Sequence, residues 1–261
     1  MPDLIFLICS DLGKPGMDVL KSVFIWMTGV LLIVVCFPLT FLIWLITLPF
    51  DKNRAVIHRL LNWQSLLAVR LIPIWKLKIE GREKASGGGP FVIISNHQSI
   101  LDILFINCLC YRLKWVSKIE NMKIPFLGWY LRMADYIVIN RGDQESKEKL
   151  MEKSMRLLRQ GTSVMMFPEG TRSVNGEIGF FKRGAFQMAI DAGVPILPVV
   201  LDGSGGVLPK HGLIFTTGHR VKVRVFDPVT PESFNTTDPD ELSVYFSNFI
   251  TRELSELRRS F

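Results

Sequence analysis

Cysteine is scarce: the chain has only Cys9, Cys36, Cys108 and Cys110, with no paired metal-ligand spacing and mostly within apolar stretches. This argues against structural zinc and against a disulfide framework, and leaves buried thiols in a reducing compartment as the expectation. Internal repeats and low-complexity linkers are also missing, which removes solenoids and beads-on-a-string architectures. A basic n-region is missing too, since Asp3 and Asp11 precede the first apolar run, and that run is too long for a cleaved signal. The most informative absence is of charge, because residues 22–50 contain no Asp, Glu, Lys or Arg.

At about 1.5 Å per residue, a helix over that run exceeds the roughly 30 Å apolar thickness of a bilayer. A retained membrane segment is therefore expected, either kinked or turned back at Pro38. Lys52, Arg54, Arg59 and Arg70 follow it, against Lys14 and Lys21 before it, so the positive-inside rule leaves the C-terminal part cytoplasmic, at a cell membrane. Next, Val56, Leu60, Trp63, Leu67 and Leu71 share one helical face, with Arg54, His58, Asn62 and Ser65 opposite. That stripe suits either the bilayer surface or an ordinary core. Residues 1–72 are read as a membrane anchor with an amphipathic helix, and 73–261 as a catalytic domain.

Across the 261 residues, 31 Lys and Arg face 24 Asp and Glu, so an anionic partner is expected: a phosphate substrate, a membrane face or nucleic acid. From Trp75 the apolar period becomes two, with Leu77 and Ile79 alternating with Lys76, Lys78 and Glu80, which predicts a strand. A glycine loop over 85–90 follows. Strands are predicted over 91–94, 136–139, 164–167, 195–201 and 221–225. Helices are predicted over 99–110, 143–160 and 182–192, and from Asp238 toward the C-terminus, where Pro239 and Glu241 complete a capping pattern. The alternation predicts an α/β layered domain with a largely buried sheet.

Two polar constellations follow apolar strands. The first is Asn96-His97-Gln98-Ser99-Ile100-Leu101-Asp102. On a regular helix His97 and Asp102 would point about 140° apart, so they meet only if the helix starts after His97. The spacing from Ser99 to Asp102 is that of a capping box and turns Asp102 back toward the preceding loop. A histidine oriented by a carboxylate can take a proton from an attacking hydroxyl, so no serine nucleophile is required. The second constellation is Phe167-Pro168-Glu169-Gly170-Thr171-Arg172-Ser173. Pro168 ends the ladder, Gly170 permits a tight turn, Arg172 offers a planar fork for phosphate oxygens, and Glu169 can either accept from a substrate or orient a neighbouring base. Lys118, Arg141, Lys182 and Arg183 supply further cations. In a parallel sheet, the strand ends at His97, Arg141 and Arg172 would share one edge.

The order NHQSILD, IPFLGWYLRMADYIVINR, FPEGTRS and VPILPV, spanning about 91–201, resembles the four blocks of the glycerolipid acyltransferase family. It is most similar to the bacterial 1-acylglycerol-3-phosphate acyltransferases. The resemblance implies a mixed, mainly parallel sheet flanked by helices, behind the N-terminal membrane-anchoring helical segment. It implies catalysis by His97 with Asp102, phosphate binding around Arg141 and the stretch Glu169, Gly170, Thr171 and Arg172, and a structural or acyl-contacting role for Val194 to Pro198; Lys118 is added to the substrate-binding set as one of the further cations. Ala134 and Asp135 stand where many members carry glycine. The implied reaction moves an acyl group from acyl-CoA or acyl carrier protein to the free hydroxyl of a lysophospholipid, without metal or other cofactor. Other lysophospholipids or lyso-aminolipids are alternative acceptors. A non-catalytic lipid-binding adaptor is the rival of a different class; a nucleic-acid partner is not expected, because it needs no apolar anchor.

Overall fold

The computed structural model describes residues 15–72, 74–85, 89–216, 218–234 and 236–259. Cys9, Asp3, Asp11, Lys14, and the central part of the glycine loop lie outside the described residues. A long helix, α1 (Pro15–Thr47), runs unbroken through Pro38, so the apolar run does not turn back there. From Asp18 to Thr47 it is long and apolar enough to cross a membrane, and it is mostly uncovered by the rest of the protein. Helix α2 (Ala55–Leu71) follows, after Asp51 caps its first amides: Ala55 N–H and Val56 N–H donate to the carboxylate at 2.9 and 2.8 Å.

Seven strands then form a single sheet: β1 (Trp75–Glu80), β2 (Val92–Ser95), β3 (Leu113–Lys118), β4 (Ile137–Ile139), β5 (Ser163–Met166), β6 (Ile196–Asp202) and β7 (His219–Val225). Their spatial order is β1-β7-β6-β2-β5-β3-β4. All neighbours are parallel except β6 and β7, which makes the sheet mixed and mainly parallel, as expected. The helices between strands are α3 (Leu101–Asn107), α4 (Leu127–Met133), α5 (Gln144–Arg159), α6 (Gly184–Ala192) and the short α7 (Ser204–Val207), and α8 (Pro239–Arg259) closes the chain.

Neighbouring strand residues feed opposite cores, as a sheet covered on both faces requires. Ile93, Leu197 and Val199 point into the core shared with Ile57, Phe105 and Leu131 of α2, α3 and α4. Val92, Ile94 and Val200 point into the core shared with Leu157, Phe186 and Phe246 of α5, α6 and α8. In α8 the buried residues Leu242, Phe246, Ile250, Leu254 and Leu257 recur at helical spacing, each side chain worth roughly 1.5–3 kcal/mol of burial.

Helix α2 is inverted relative to an ordinary domain helix. Its polar residues His58, Asn62 and Ser65 are buried, while Trp63, Leu66 and Leu71 of the opposite side are exposed. The reason is a buried polar network: His58 Nε2 lies 2.8 Å from Tyr111 O, and the Tyr136 hydroxyl lies 2.7 Å from His58 Nδ1. Asn107 Nδ2 donates to Ser65 Oγ at 3.2 Å. Of the apolar stripe, Leu60 packs against the core beside buried Ile57, while Trp63 and Leu71 stay exposed. Helix α1 docks in the same manner: Ser22 and Thr40 are buried, and Gln64 Nε2 of α2 donates to Thr40 Oγ1 at 2.7 Å.

Strand β3 is an element that the sequence pattern did not signal. Its Lys114 is 1% exposed, donates to the Ala134 carbonyl, and has its ammonium pushed down to about 8 by burial. A lysine facing inward breaks the alternation by which a strand is read. Two further expectations are corrected: α3 begins at Leu101 and ends at Asn107, shorter than 99–110, and Cys110 is exposed, unlike buried Cys36 and Cys108.

Candidate active site

Strand β2 ends at Ser95, and Asn96 then locks the exit to β6. Its Nδ2 donates to Leu201 O at 2.7 Å and its Oδ1 accepts from Leu201 N at 2.9 Å. This aims His97 beyond the carboxyl-terminal edge of the sheet, where parallel α/β folds gather their chemistry. Asp102, fully buried in the first turn of α3, turns back as its spacing predicted. Its Oδ2 receives three N–H groups: His97 Nδ1 at 2.8 Å, Gln98 N at 2.7 Å and Ser99 N at 2.9 Å. With Nδ1–H bound to a carboxylate, Nε2 is the nitrogen with the free lone pair, and no described residue bonds it. The ring also lies flat on Phe167, with centroids 3.8 Å apart.

Strand β5 lies beside β2 and ends in the Phe167–Ser173 turn. Gly170 carries φ +69°, a backbone conformation that favours glycine, and Lys182 Nζ lies over it, 3.1 Å from where a Cβ would stand. Of the two roles that the sequence left open for Glu169, its contacts match the one that orients the histidine loop. It is 6% exposed, and its two oxygens accept from His97 N at 2.8 Å and Gly179 N at 3.0 Å. Burial raises its carboxyl above the usual range, against the opposing pull of those two amides. Ser173 N donates to His97 O at 2.8 Å, so the turn and the histidine loop hold each other.

The cations divide into paired and unpaired. Lys118 bridges Glu120 at 3.0 Å, and Arg183 lies 3.4 Å from Asp240. Arg141, Arg172 and Lys182 have no side-chain partner among the described residues. Arg172 lies in the turn after β5, which is next to β2, whereas Arg141 follows β4, a strand three places and roughly 14 Å from β2 across the sheet. Thr171 is exposed at the tip of the turn. Among the described residues no three His, Cys, Asp or Glu side chains are grouped to hold a metal ion. Asn96, Phe167 and the placing of Lys182 over Gly170 were missed as site features; Asn96 and Phe167 stand inside the recognised blocks, but no spacing announces an exit lock or a ring stack.

Helix α1 passes along this edge. Phe215 N donates to Ser22 Oγ at 2.8 Å, Trp26 Nε1 donates to Leu213 O at 2.9 Å, and Phe37 packs edge-on against Phe126 and Tyr130 at 5.2 and 5.5 Å. An open apolar groove of about 300 Å³ lies between α1 and α4, lined by Phe37, Phe41, Pro125, Phe126 and Trp129.

The family model described as Acyltransferase matches residues 76–202, which include every motif above. A protein of Mycoplasma genitalium, named as a probable 1-acyl-sn-glycerol-3-phosphate acyltransferase, is 31% identical over 79% of this chain and 83% of its own length. The chain belongs to the acyltransferase family. In the stretch Ala134–Asp135, Asp135 takes φ 51° and pairs with Lys153 at 2.6 Å. Aspartate is among the few residues that accept this conformation. The chloroplastic 1-acyl-sn-glycerol-3-phosphate acyltransferase of Arabidopsis thaliana is 36% identical over 70% of the chain. The chain spans about half the length of that protein and of the algal relative from Chlamydomonas reinhardtii. The crystal structure of the 1-acyl-sn-glycerophosphate acyltransferase PlsC from Thermotoga maritima superposes with a TM-score of 0.79 at 26% identity, covering 92% of this chain and 96% of that one.

Proposed function

We propose that the protein transfers a fatty acyl group from a thioester to the free hydroxyl of 1-acylglycerol-3-phosphate, giving phosphatidic acid. One observation carries the reading: a histidine with a free Nε2, held by a buried carboxylate, stands one strand from an arginine that has no partner among the described residues. Relatives named for this reaction add to it.

In the proposed step, His97 Nε2 takes the proton of the glycerol hydroxyl while that oxygen forms an ester bond to the thioester carbonyl carbon. The carbon–sulfur bond then breaks, and the thiolate recovers the proton from the imidazolium. Asp102 stabilises the imidazolium between the two transfers. Glu169 acts as a positioning residue through the His97 amide. Arg172, with the Gly170 turn and Lys182, holds the acceptor phosphate; Arg141 and Lys118 serve its outer side. The donor is acyl-CoA or acyl carrier protein, and the step calls on no cofactor beyond that co-substrate.

In this reading residues 1–72 attach the protein to the membrane and 73–261 carry the chemistry at the cytoplasmic face. The exposed apolar sides of α1 and α2 support the attachment, since α2 keeps its polar side for the protein. A lysolipid resting at that surface can present its headgroup to His97 while its tail stays sheltered.

The test is to incubate the purified protein with a panel of lysolipids and either labelled acyl-CoA or acyl carrier protein, reading products by mass. Phosphatidic acid as the main product supports the proposal. A different acylated lysolipid reassigns the acceptor, and no acylated product from any acceptor with either donor removes the enzymatic reading.

A further inference from the structure

Outside α1 and α2, the large apolar side chains left exposed are not scattered. Ile100 follows β2, Phe126 and Trp129 follow β3, Val174 and Phe180 follow β5, and Leu213 follows β6. These four strands run in the same direction, so all of these connections leave the sheet at the edge that carries His97. Away from that edge, the comparable residues among those described are Val244 and Tyr245 on α8, and Leu48 and Phe50 in the connection between α1 and α2.

Phe126, Trp129 and Leu213 touch α1 and extend its surface. The 174–180 turn does not. Ile178 and Phe181 pack into the core on the other face of the sheet, with α5, α6 and α8, and Arg258 of α8 donates to Gly176 O at 2.8 Å. Since Ser173 N is bonded to His97 O, the turn borders His97 from the side opposite α1.

Val174 and Phe180 are 78% and 75% exposed, yet the turn is well tied. Gly176 N donates to Ser173 Oγ at 2.8 Å, Glu177 N to Asn175 Oδ1 at 3.1 Å, and Gly179 N to Glu169 Oε2 at 3.0 Å. Phe181 is buried at 1%, so the chain had a core within reach and holds Phe180 out of it. Lys182 and Arg183 come next, and both are exposed, Arg183 lying 3.4 Å from Asp240; the turn's one carboxylate, Glu177, accepts from Asn175 Nδ2 at 2.7 Å. An aromatic and an aliphatic tip beside cations is the composition that seats in the interface of an anionic bilayer.

We infer that the 174–180 turn is a second membrane contact, with Val174 and Phe180 inserted in an anionic bilayer on the other side of His97 from α1. The sheet edge that carries His97 then faces the lipid between two attachments, and an acceptor reaches His97 without leaving the interface. This rests on the membrane attachment proposed above; the labelling arm of its test is independent of the reaction, and the kinetic arm also rests on the proposed acyl transfer.

The test uses full-length protein carrying Cys9→Ser and Cys110→Ser, with an environment-sensitive fluorophore on Phe180→Cys. The protein is bound to vesicles of phosphatidylcholine and phosphatidylglycerol. Parallel labels at Leu31→Cys on α1 and Lys149→Cys on α5 act as references. Quenching at 180 by nitroxide-bearing lipid, with protection from aqueous iodide, is expected. Quenching at 180 by iodide alone overturns the inference, and so does shielding from both quenchers, which would mean a protein partner or a second copy. Position 31 reads the α1 attachment independently. In addition, Val174→Ser with Phe180→Ser should raise the apparent KM several-fold for lysolipid in vesicles and leave turnover of a dispersed short-chain lysolipid unchanged. Equal losses on both substrates count against the inference.

Discussion

The imidazole of His97 lies parallel to the phenyl ring of Phe167, with planes 4° apart and centroids at 3.8 Å. Phe167 in turn leans on Trp115 at 5.6 Å, so the histidine rests on a wall that reaches into the core. Asp102 fixes rotation about the side chain and Phe167 fixes the plane, and together they hold Nε2 in one direction. Replacing Phe167 with leucine keeps apolar volume but removes the flat support. Phe167→Leu should lower kcat by about 10- to 100-fold with acceptor KM little changed, because small misplacements of a reacting group are costly. Steady-state kinetics on vesicle substrate read this directly, and an unchanged kcat would show the stacking to be incidental.

Asp102 offers a second handle, because three N–H groups converge on its Oδ2. Asp102→Asn keeps the shape and one acceptor oxygen but loses the charge that opposes the imidazolium. A fall in kcat of about 10² to 10⁴ is expected. Thermal melting should be recorded on the same samples. Wild-type turnover in a folded Asp102→Asn protein would reduce the residue to a helix cap.

For the acceptor phosphate, sheet position makes a ranking. Arg172 lies in the turn after the strand adjacent to β2, and Arg141 follows one that is three strands away. Losing a charge-assisted hydrogen bond costs about 1.5–3 kcal/mol, so Arg172→Ala should raise acceptor KM roughly 10- to 150-fold. Arg172→Lys should fall between, since an ammonium lacks the fork, and Arg141→Ala should be milder. Donor KM should stay put. A larger effect at Arg141, or a shift in donor KM at Arg172, reverses the orientation of the substrates.

A pH effect follows from α2. Burial lowers the pKa of His58 from 6.5 to about 4 in the folded protein, with the Tyr111 carbonyl opposing. Unfolded chains bind the proton more readily, so the stability that neutral His58 contributes is complete above about pH 6.5. It is lost as pH falls toward about 4, by roughly 3 kcal/mol. Thermal melts between neutral pH and pH 4.5 should show a decline that His58→Gln lacks. Parallel declines in both proteins would place the titration elsewhere.

Much of this was legible in residues alone because it is local. A charge-free run specifies an apolar helix, capping spacing turns Asp102 back toward His97, and a proline and a glycine after an apolar strand force the FPEGTRS segment out of the sheet. Strand ends also carry the polar blocks wherever the strands happen to stand. What depends on neighbours in space was not legible. Lys114 disguised β3, since only the Ala134 carbonyl and the Tyr136 ring make an inward lysine tolerable. The amphipathic pattern of α2 left its orientation open, and the partners of His58 and Ser65 decided it by drawing the polar side inward. The sequence left Glu169 with two readings, substrate ligand or orienter of a neighbouring base, and only the fold brings the amides of His97 and Gly179 to its oxygens. Periodicity reports which faces of an element differ; which face is covered, and which charge is left free, depends on groups far apart in sequence that only folding brings within hydrogen-bond distance.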